Sequence, residues 1–242
     1  DARDEAVWLV CAAASIKFEA LSDAMEKEID LTLLRRVKLL LKRRISTRMP
    51  LAYLLGEAWL DGRKFLVNKN TIVPRSYIAE ILANKCHPWI AKERHIKSVL
   101  DLCTGSGCLA ILASYAFPNA RISASDLSQA ALRVAAKNVA LHRMKSRIRL
   151  HHSNLFDDLE NKRFDLIISN PPYVTTRSMR ALPKEYRREP KLALAGGRDG
   201  LAVIRKILTQ FTEHLTPKGI LIMEVGGNRK IIEKTFPALN TI

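Results

Sequence analysis

The 242 residues, 48% of them hydrophobic, suffice for one full α/β domain with a smaller appendage and argue against a disordered chain. Lys and Arg number 40 against 24 acidic residues, and the surplus of +16 points to ribosomes, RNA or another anionic surface, or else to a solvated charged face. Four cysteines (Cys11, Cys86, Cys103, Cys108) form no CxxC pair and no zinc-spaced cluster, and no apolar run approaches membrane-spanning length, which argues against a disulfide scaffold, a metal centre and a membrane span.

Reduced thiols and the lack of a visible signal peptide make a cytoplasmic location the expectation. The chain has no initiator Met and stops after Ala238–Ile242, so both ends are expected to be trimmed, and an amino-terminal signal is among the things trimming removes.

Residues 1–73 read as a separate, largely helical unit. Leu33, Leu34, Val37, Leu40, Leu41 and Ile45 fall at helical spacing and predict one apolar stripe, with Pro50 ending the helix through its missing amide donor. Arg35, Arg36, Lys38, Lys42, Arg43 and Arg44 fill the rest of that helix; singly they read as a solvated face, as a group as a grip for RNA or an acidic partner. Glu57–Leu60 and Arg63–Val67 are β-leaning runs joined by Asp61-Gly62, which predicts a hairpin. After Pro74 a helix resumes through Ile78, Ile81 and Leu82, and the domain boundary is expected near residues 70–76, with 74–242 as the second unit.

From Ser98 the pattern becomes strand, loop, helix, repeated. Strands are expected at Ser98–Leu100, Arg121–Ser125, Arg147–Leu150, Phe164–Ile168 and Gly219–Met223, with a helix through Leu109, Ile111 and Leu112 and another that Ser128 can cap. Strands separated by helices mean parallel βαβ units, so the fold class is α/β with a doubly wound, Rossmann-like sheet.

Ligands in such a sheet bind beyond the carboxyl ends of the strands. The first strand ends in Asp101-Leu-Cys103-Thr104-Gly105-Ser106-Gly107-Cys108, where glycines permit a sharp turn and close approach of a ligand; taken alone, a plain tight turn explains it equally well. The second strand ends in Asp126, an acidic side chain placed to accept ribose hydroxyls or to cap the following helix. The third delivers Asn154 and Leu155, where a polar side chain can meet an adenine edge.

The fourth strand carries the strongest signal: Asn170-Pro171-Pro172-Tyr173. Two prolines fix φ and remove two backbone donors, leaving carbonyls that only accept. A planar amide or amino group offers two N–H donors, which suit the Asn170 side-chain oxygen and the Pro171 carbonyl, with Tyr173 stacking on the flat group.

These motifs resemble the class I S-adenosylmethionine methyltransferases, specifically the HemK/PrmC and PrmB group, which modifies a glutamine side-chain nitrogen. The similarity covers nearly the whole chain, including the amino-terminal helical unit and hairpin, which match the group's substrate-recognition domain. It implies a seven-stranded catalytic domain, S-adenosylmethionine as cofactor, and cofactor contacts at Asp101, Cys103, Thr104, Gly105, Ser106, Gly107, Asp126, Leu127, Asn154, Leu155 and Asn170. Catalysis is expected at Asn170, Pro171, Pro172 and Tyr173, without a metal and without a histidine base; His151 and His152 read as packing or surface residues.

Pro74-Arg75-Ser76-Tyr77-Ile78-Ala79-Glu80, the Cys103–Cys108 loop, Glu185–Leu194 and Gly196–Leu201 resemble the PrmB branch, which methylates a glutamine of the third large-subunit ribosomal protein. Work on an assembling particle, with its ribosomal RNA as second partner, is compatible with the charge. Asn154 stands where the group commonly has Asp, which implies a modest loss of cofactor affinity. The group also continues into two further strands, one antiparallel, so the fifth strand here is expected to present an unpaired edge.

Three competing readings remain at this stage: a release-factor glutamine methyltransferase, a nucleic-acid amino methyltransferase acting on a flipped base, and a non-catalytic ribosome- or RNA-binding module that keeps the fold.

Overall fold

The computed structural model describes residues 2–16, 20–26 and 28–239; Asn240–Ile242, at the expected carboxyl-terminal trim, lie outside the described residues. The first helices are α1 (Ala2–Ala14), the one-turn α2 (Leu21–Ala24), α3 (Leu31–Thr47) and α4 (Leu51–Leu55). Asp30 caps α3, its carboxylate accepting from the Leu33 N–H at 2.6 Å.

The apolar stripe expected on α3 is narrower than the sequence suggests. Leu33, Val37 and Leu40 are half-buried on the face that meets α1, whereas Leu34, Leu41 and Ile45 are 39%, 46% and 62% exposed. A single helix packed on one side covers only part of a wide stripe. Pro50 does not end α3 either. Arg48 does so first, turning left-handed at φ 52° while its N–H closes on the Arg44 carbonyl, and Pro50 takes the N-cap position of α4, its carbonyl accepting from Tyr53.

The hairpin forms as expected. β1 (Glu57–Leu60) pairs antiparallel with β2 (Arg63–Leu66), and Asp61 and Gly62 both take positive φ, as a type I′ turn requires. The short α5 (Ile78–Ala83) leads to the sheet.

That sheet has five strands: β3 (Ser98–Leu102), β4 (Arg121–Asp126), β5 (Ile148–His152), β6 (Phe164–Ser169) and β7 (Leu215–Met223). All pair in parallel in the order β5-β4-β3-β6-β7. The helices between them are α6 (Cys108–Ala116), α7 (Gln129–Leu141), α8 (Thr176–Ala181) and α9 (Ala202–Gln210), and α10 (Arg229–Thr235) follows β7. Ser128 caps α7 as expected, its hydroxyl accepting from the Ala131 N–H.

Helices cover both faces. Val99, Leu166 and Ile168 pack towards α5, α6 and α7, while Leu100, Leu102 and Ile167 pack towards Ile207 of α9. Burial on both faces explains the near-continuous apolar runs of β3 and β6. Each fully buried Leu or Ile contributes roughly 2 kcal/mol relative to exposure. Five of the seven strands that the resemblance implies lie within the described residues, where β7 pairs with β6 alone. The chain runs outward from β3 to β5 and returns to β6 on the other side of β3, which puts the switch point between β3 and β6.

Candidate active site

Beyond the carboxyl ends of β3, β4 and β6 lies a cavity of about 260 Å³. Its inner wall is the loop after β3, and Asp101 builds that loop from behind. This wholly buried carboxylate accepts from the Thr104 hydroxyl at 2.5 Å and the Ala110 N–H at 3.0 Å, tying the turn to the first residues of α6. Its Oδ1 atom is buried without a hydrogen-bond partner, and desolvation pushes the carboxyl up to about 7. Cys103, Gly105 and Gly107 all take positive φ, a run that turns the backbone back on itself.

Asp126 closes the β4 side. Its carboxylate accepts from the Gly105 N–H at 2.8 Å and the Ser128 N–H at 2.7 Å, so it braces the glycine turn and the start of α7 while still facing the cavity. The ribose-acceptor and helix-capping readings of Asp126 are thus geometrically compatible. Burial raises its pKa, opposed by those two N–H groups.

Of the residues expected at a cofactor, Cys103, Gly105, Asp126, Leu127, Asn154, Leu155 and Asn170 line this cavity. Asp101, Thr104, Ser106 and Gly107 stand behind it and shape it. Asn154 donates to Asp157 at 3.0 Å, which leaves its amide oxygen free to accept. Burial raises the Cys103 thiol, so that side chain offers no thiolate here.

The sequence reading missed several wall residues. Ser125, one position before Asp126, has a buried hydroxyl without a partner; the end of a strand in this topology was a usable signal for it. Asn70, Thr71 and Ile72 also line the cavity, at the start of the stretch where the sequence predicts only a domain boundary. Tyr53 donates its hydroxyl to the Thr71 carbonyl, which fixes that loop from the helical unit.

A second cavity, of about 210 Å³, adjoins the first. Ile72, Asn170 and Ala193 line both. Asn170 therefore stands at the partition between the two spaces, held there by β6, whose last residue Ser169 donates to the Leu102 carbonyl at 2.9 Å. Neither the Asn170 amide nor the Pro171 carbonyl is engaged by any hydrogen bond among the described residues. Pro171 and Tyr173 face the second cavity, and Pro172 the first.

Tyr173 is anchored rather than free. Its hydroxyl donates to Glu224 at 2.8 Å, and the other Glu224 oxygen accepts from the Ser76 hydroxyl at 2.6 Å and the Tyr77 N–H at 3.2 Å. Burial, reinforced by the Glu224 carboxylate, raises the phenol well above its usual range, so it is no base. Across the cavity the Arg75 guanidinium makes two bonds to Glu189, at 2.8 and 2.9 Å, and lies 4.6 Å from the centre of the Tyr186 ring.

The histidines stay outside this arrangement: His152 meets the Leu127 carbonyl, and His151 is a partly buried residue on β5. Among the described residues no group of His, Cys, Asp and Glu is placed to hold a metal ion. No helix among them is long and apolar enough to cross a membrane.

Comparison with known proteins places this site in context. Residues 83–184 match the methyltransferase small domain family. A structure of a methyltransferase from Pyrococcus furiosus superimposes with a TM-score of 0.52 at 18% identity, covering 83% of each chain, and shares the fold. The ribosomal protein uL3 glutamine methyltransferase of Bordetella pertussis is 45% identical over 242 residues, which span this whole chain and 81% of the relative. The protein of the same name from Bradyrhizobium diazoefficiens is 47% identical over 97% of this chain and 76% of its own length. At that identity and coverage, the chain belongs to the ribosomal protein uL3 glutamine methyltransferase family.

Proposed function

We propose that this protein transfers a methyl group from S-adenosylmethionine to the side-chain amide nitrogen, N5, of a glutamine in ribosomal protein uL3. The observation that carries the reading is Asn170 at the partition of two cavities, with its amide oxygen and the Pro171 carbonyl both open as acceptors.

The first cavity suits the cofactor. Asp126 offers a carboxylate for ribose hydroxyls, Leu127 and Leu155 offer apolar surface, and the Asn154 oxygen can accept from an amino group. At Gly105 a Cβ would point into open space, so its absence leaves room against the turn, and the partnerless Ser125 hydroxyl borders the same space. S-adenosylmethionine supplies an electrophilic methyl group.

The second cavity takes the glutamine. An amide nitrogen is a poor nucleophile because its lone pair is shared with the carbonyl. Asn170 and Pro171 accept its two N–H groups, which orients the lone pair and favours the positive charge that grows on nitrogen. Arg75, Tyr173 and Tyr186 form part of the wall around that space and limit the poses open to the amide. The proton is lost readily after transfer, and no residue here is required as a strong base.

Residues 1–73 are proposed as the substrate-recognition unit and 74–242 as the catalytic one. The loop at Asn70–Ile72 supports this division, since it carries the first unit to the rim of both cavities. Action in the cytoplasm, on uL3 within an assembling particle that also holds RNA, fits the basic surplus.

Methyl-labelled S-adenosylmethionine, offered with uL3, a release factor or unmodified RNA, tests the reading. Label on uL3, abolished by Asn170→Ala, is the expected result. Label on the release factor alone would keep the chemistry and change the substrate, and label on RNA alone would overturn the glutamine pocket.

A further inference from the structure

We infer that the ridge formed by α8 and the segment after it is an RNA-docking surface, placed so that a phosphate backbone lies beside the glutamine cavity. The inference rests on the proposed activity only for the identity of the neighbouring protein substrate.

The ridge begins with charge that no acid among the described residues neutralises. Arg177, Arg180, Lys184, Arg187, Arg188 and Lys191 are all exposed, and none makes an ion pair among the described residues. The two acids in the same stretch are already committed. Glu185 pairs with Arg44 at 3.1 Å and Arg48 at 2.7 Å, and Glu189 is buried against Arg75. The segment therefore presents cations outward and turns its carboxylates inward.

The backbone holds some of these cations in place. Arg187 donates to the carbonyls of Leu182 and Arg180 at 2.8 and 3.0 Å, and Arg188 donates to the Thr47 carbonyl at 2.8 Å. That last bond, with the Arg48–Glu185 pair, seats the carboxyl end of α3 against the ridge. Fixed guanidinium groups lose little freedom on binding and match phosphate oxygens in pairs, which favours a nucleic-acid backbone over an acidic peptide of irregular spacing.

Position gives the ridge its meaning. Leu182 and Tyr186, within this segment, line the second cavity. An anionic strand on the ridge thus lies at the edge of the space that takes the glutamine. A chain with a surplus of +16 attracts polyanions in general, and the ridge directs that attraction to the rim of the second cavity.

The test uses the triple variant Arg177→Gln/Arg180→Gln/Lys184→Gln, whose side chains hold no other part of the protein. Its control is Lys97→Gln/Arg121→Gln/Lys145→Gln, which removes equal charge at the amino ends of the strands, opposite both cavities. Binding of a labelled RNA hairpin of arbitrary sequence is measured by anisotropy across a salt series. The ridge variant is expected to bind about tenfold or more weakly, with a salt slope shallower by about 2, and the control within about twofold of the parent.

Methyl transfer is then measured on a glutamine-bearing uL3 fragment, free and bound to its RNA. The variant is expected to match the parent on the free fragment and to lose about tenfold in kcat/KM on the RNA-bound one. Equal weakening of RNA binding by both variants overturns the proposal, as does binding to an acidic peptide or anionic vesicles in place of RNA. If the parent methylates no acceptor at all, the proposed activity fails while the RNA measurement still decides the ridge.

Discussion

Asn138 pairs with Leu66 on both sides of the peptide, accepting from its N–H at 2.7 Å and donating to its carbonyl at 2.9 Å, as a neighbouring strand would. The same amide nitrogen donates to the Ser106 carbonyl at 2.8 Å. One fully buried side chain on α7 thus joins the hairpin to the turn that walls the first cavity. Asn138→Leu leaves three backbone groups short of a partner, the Ser106 carbonyl in a buried place and the N–H and carbonyl of Leu66 in a partly buried one. We expect a loss of about 3 kcal/mol or more, since each unpaired buried group costs about 1–3 kcal/mol. Urea unfolding checks the stability, and calorimetric titration with S-adenosylmethionine should show weaker binding because the turn is no longer held. An unchanged urea midpoint would mean that water replaces the lost bonds.

Asp101 gives the fold a pH dependence of its own. Burial raises its carboxyl to about 7, far above an unfolded carboxylate near 4. Between those values the folded state binds more protons than the unfolded state, so stability falls as pH rises through the window and levels off above it. The contribution is fully present below about pH 4 and lost above about pH 7, and the whole difference is of the order of 4 kcal/mol. Asp101→Asn has no proton to lose, so its stability should vary less than the parent's across pH 4–7. Denaturation at several pH values reads this directly, and parallel curves for the two proteins would show that Asp101 ionises normally.

Much of this site is legible in the chain because its signals are local. Asp61-Gly62 specifies its turn through backbone conformation alone, Ser128 caps its helix through an N–H three residues ahead, and Asn170-Pro171-Pro172-Tyr173 is contiguous. What escaped the sequence depends on distant partners. Asn138 reaches Leu66 across 72 positions, and Glu224 reaches Ser76 across 148. Neither leaves a periodicity or a spacing to read. The stripe on α3 is narrower than its spacing predicts for a related reason, because periodicity states which residues share a face but not how much of that face a neighbour covers.

The ring of Tyr173 rests on Gly226. A Cβ there would stand 2.7 Å from two ring carbons, at a φ of +56° that side chains seldom adopt. Gly226→Ala must push the ring into the second cavity. We expect kcat to fall by about 10- to 100-fold, as displacement of a positioning group by an ångström commonly does, while S-adenosylmethionine binds as before. Tyr173→Phe keeps the ring and removes only the bond to Glu224, so its loss should be about three- to tenfold. The ordering of the two variants is the check: a larger defect in Tyr173→Phe would assign the hydroxyl, rather than the ring's place, the greater part in turnover.

Arg75 lines the second cavity and Glu189 holds it from behind, and the pair is unequal in exposure: 36% of the Arg75 side chain meets solvent against 3% of Glu189. Removing the arginine therefore strands a carboxylate where water cannot reach it. Arg75→Leu is expected to cost about 3 kcal/mol, the lower end for a broken buried pair because the arginine itself is partly solvated. The same change removes one wall of the second cavity and frees the segment that carries Ala193 and Leu194 to it, and should raise the KM for the glutamine substrate more than it lowers kcat. Glu189→Leu combined with Arg75→Leu removes the stranded charge and should recover most of the stability without recovering KM, because Tyr186 then lacks the guanidinium it stacks on. Recovery of both in the double variant would reduce the pair to a structural tie and leave the shape of the pocket to its apolar residues.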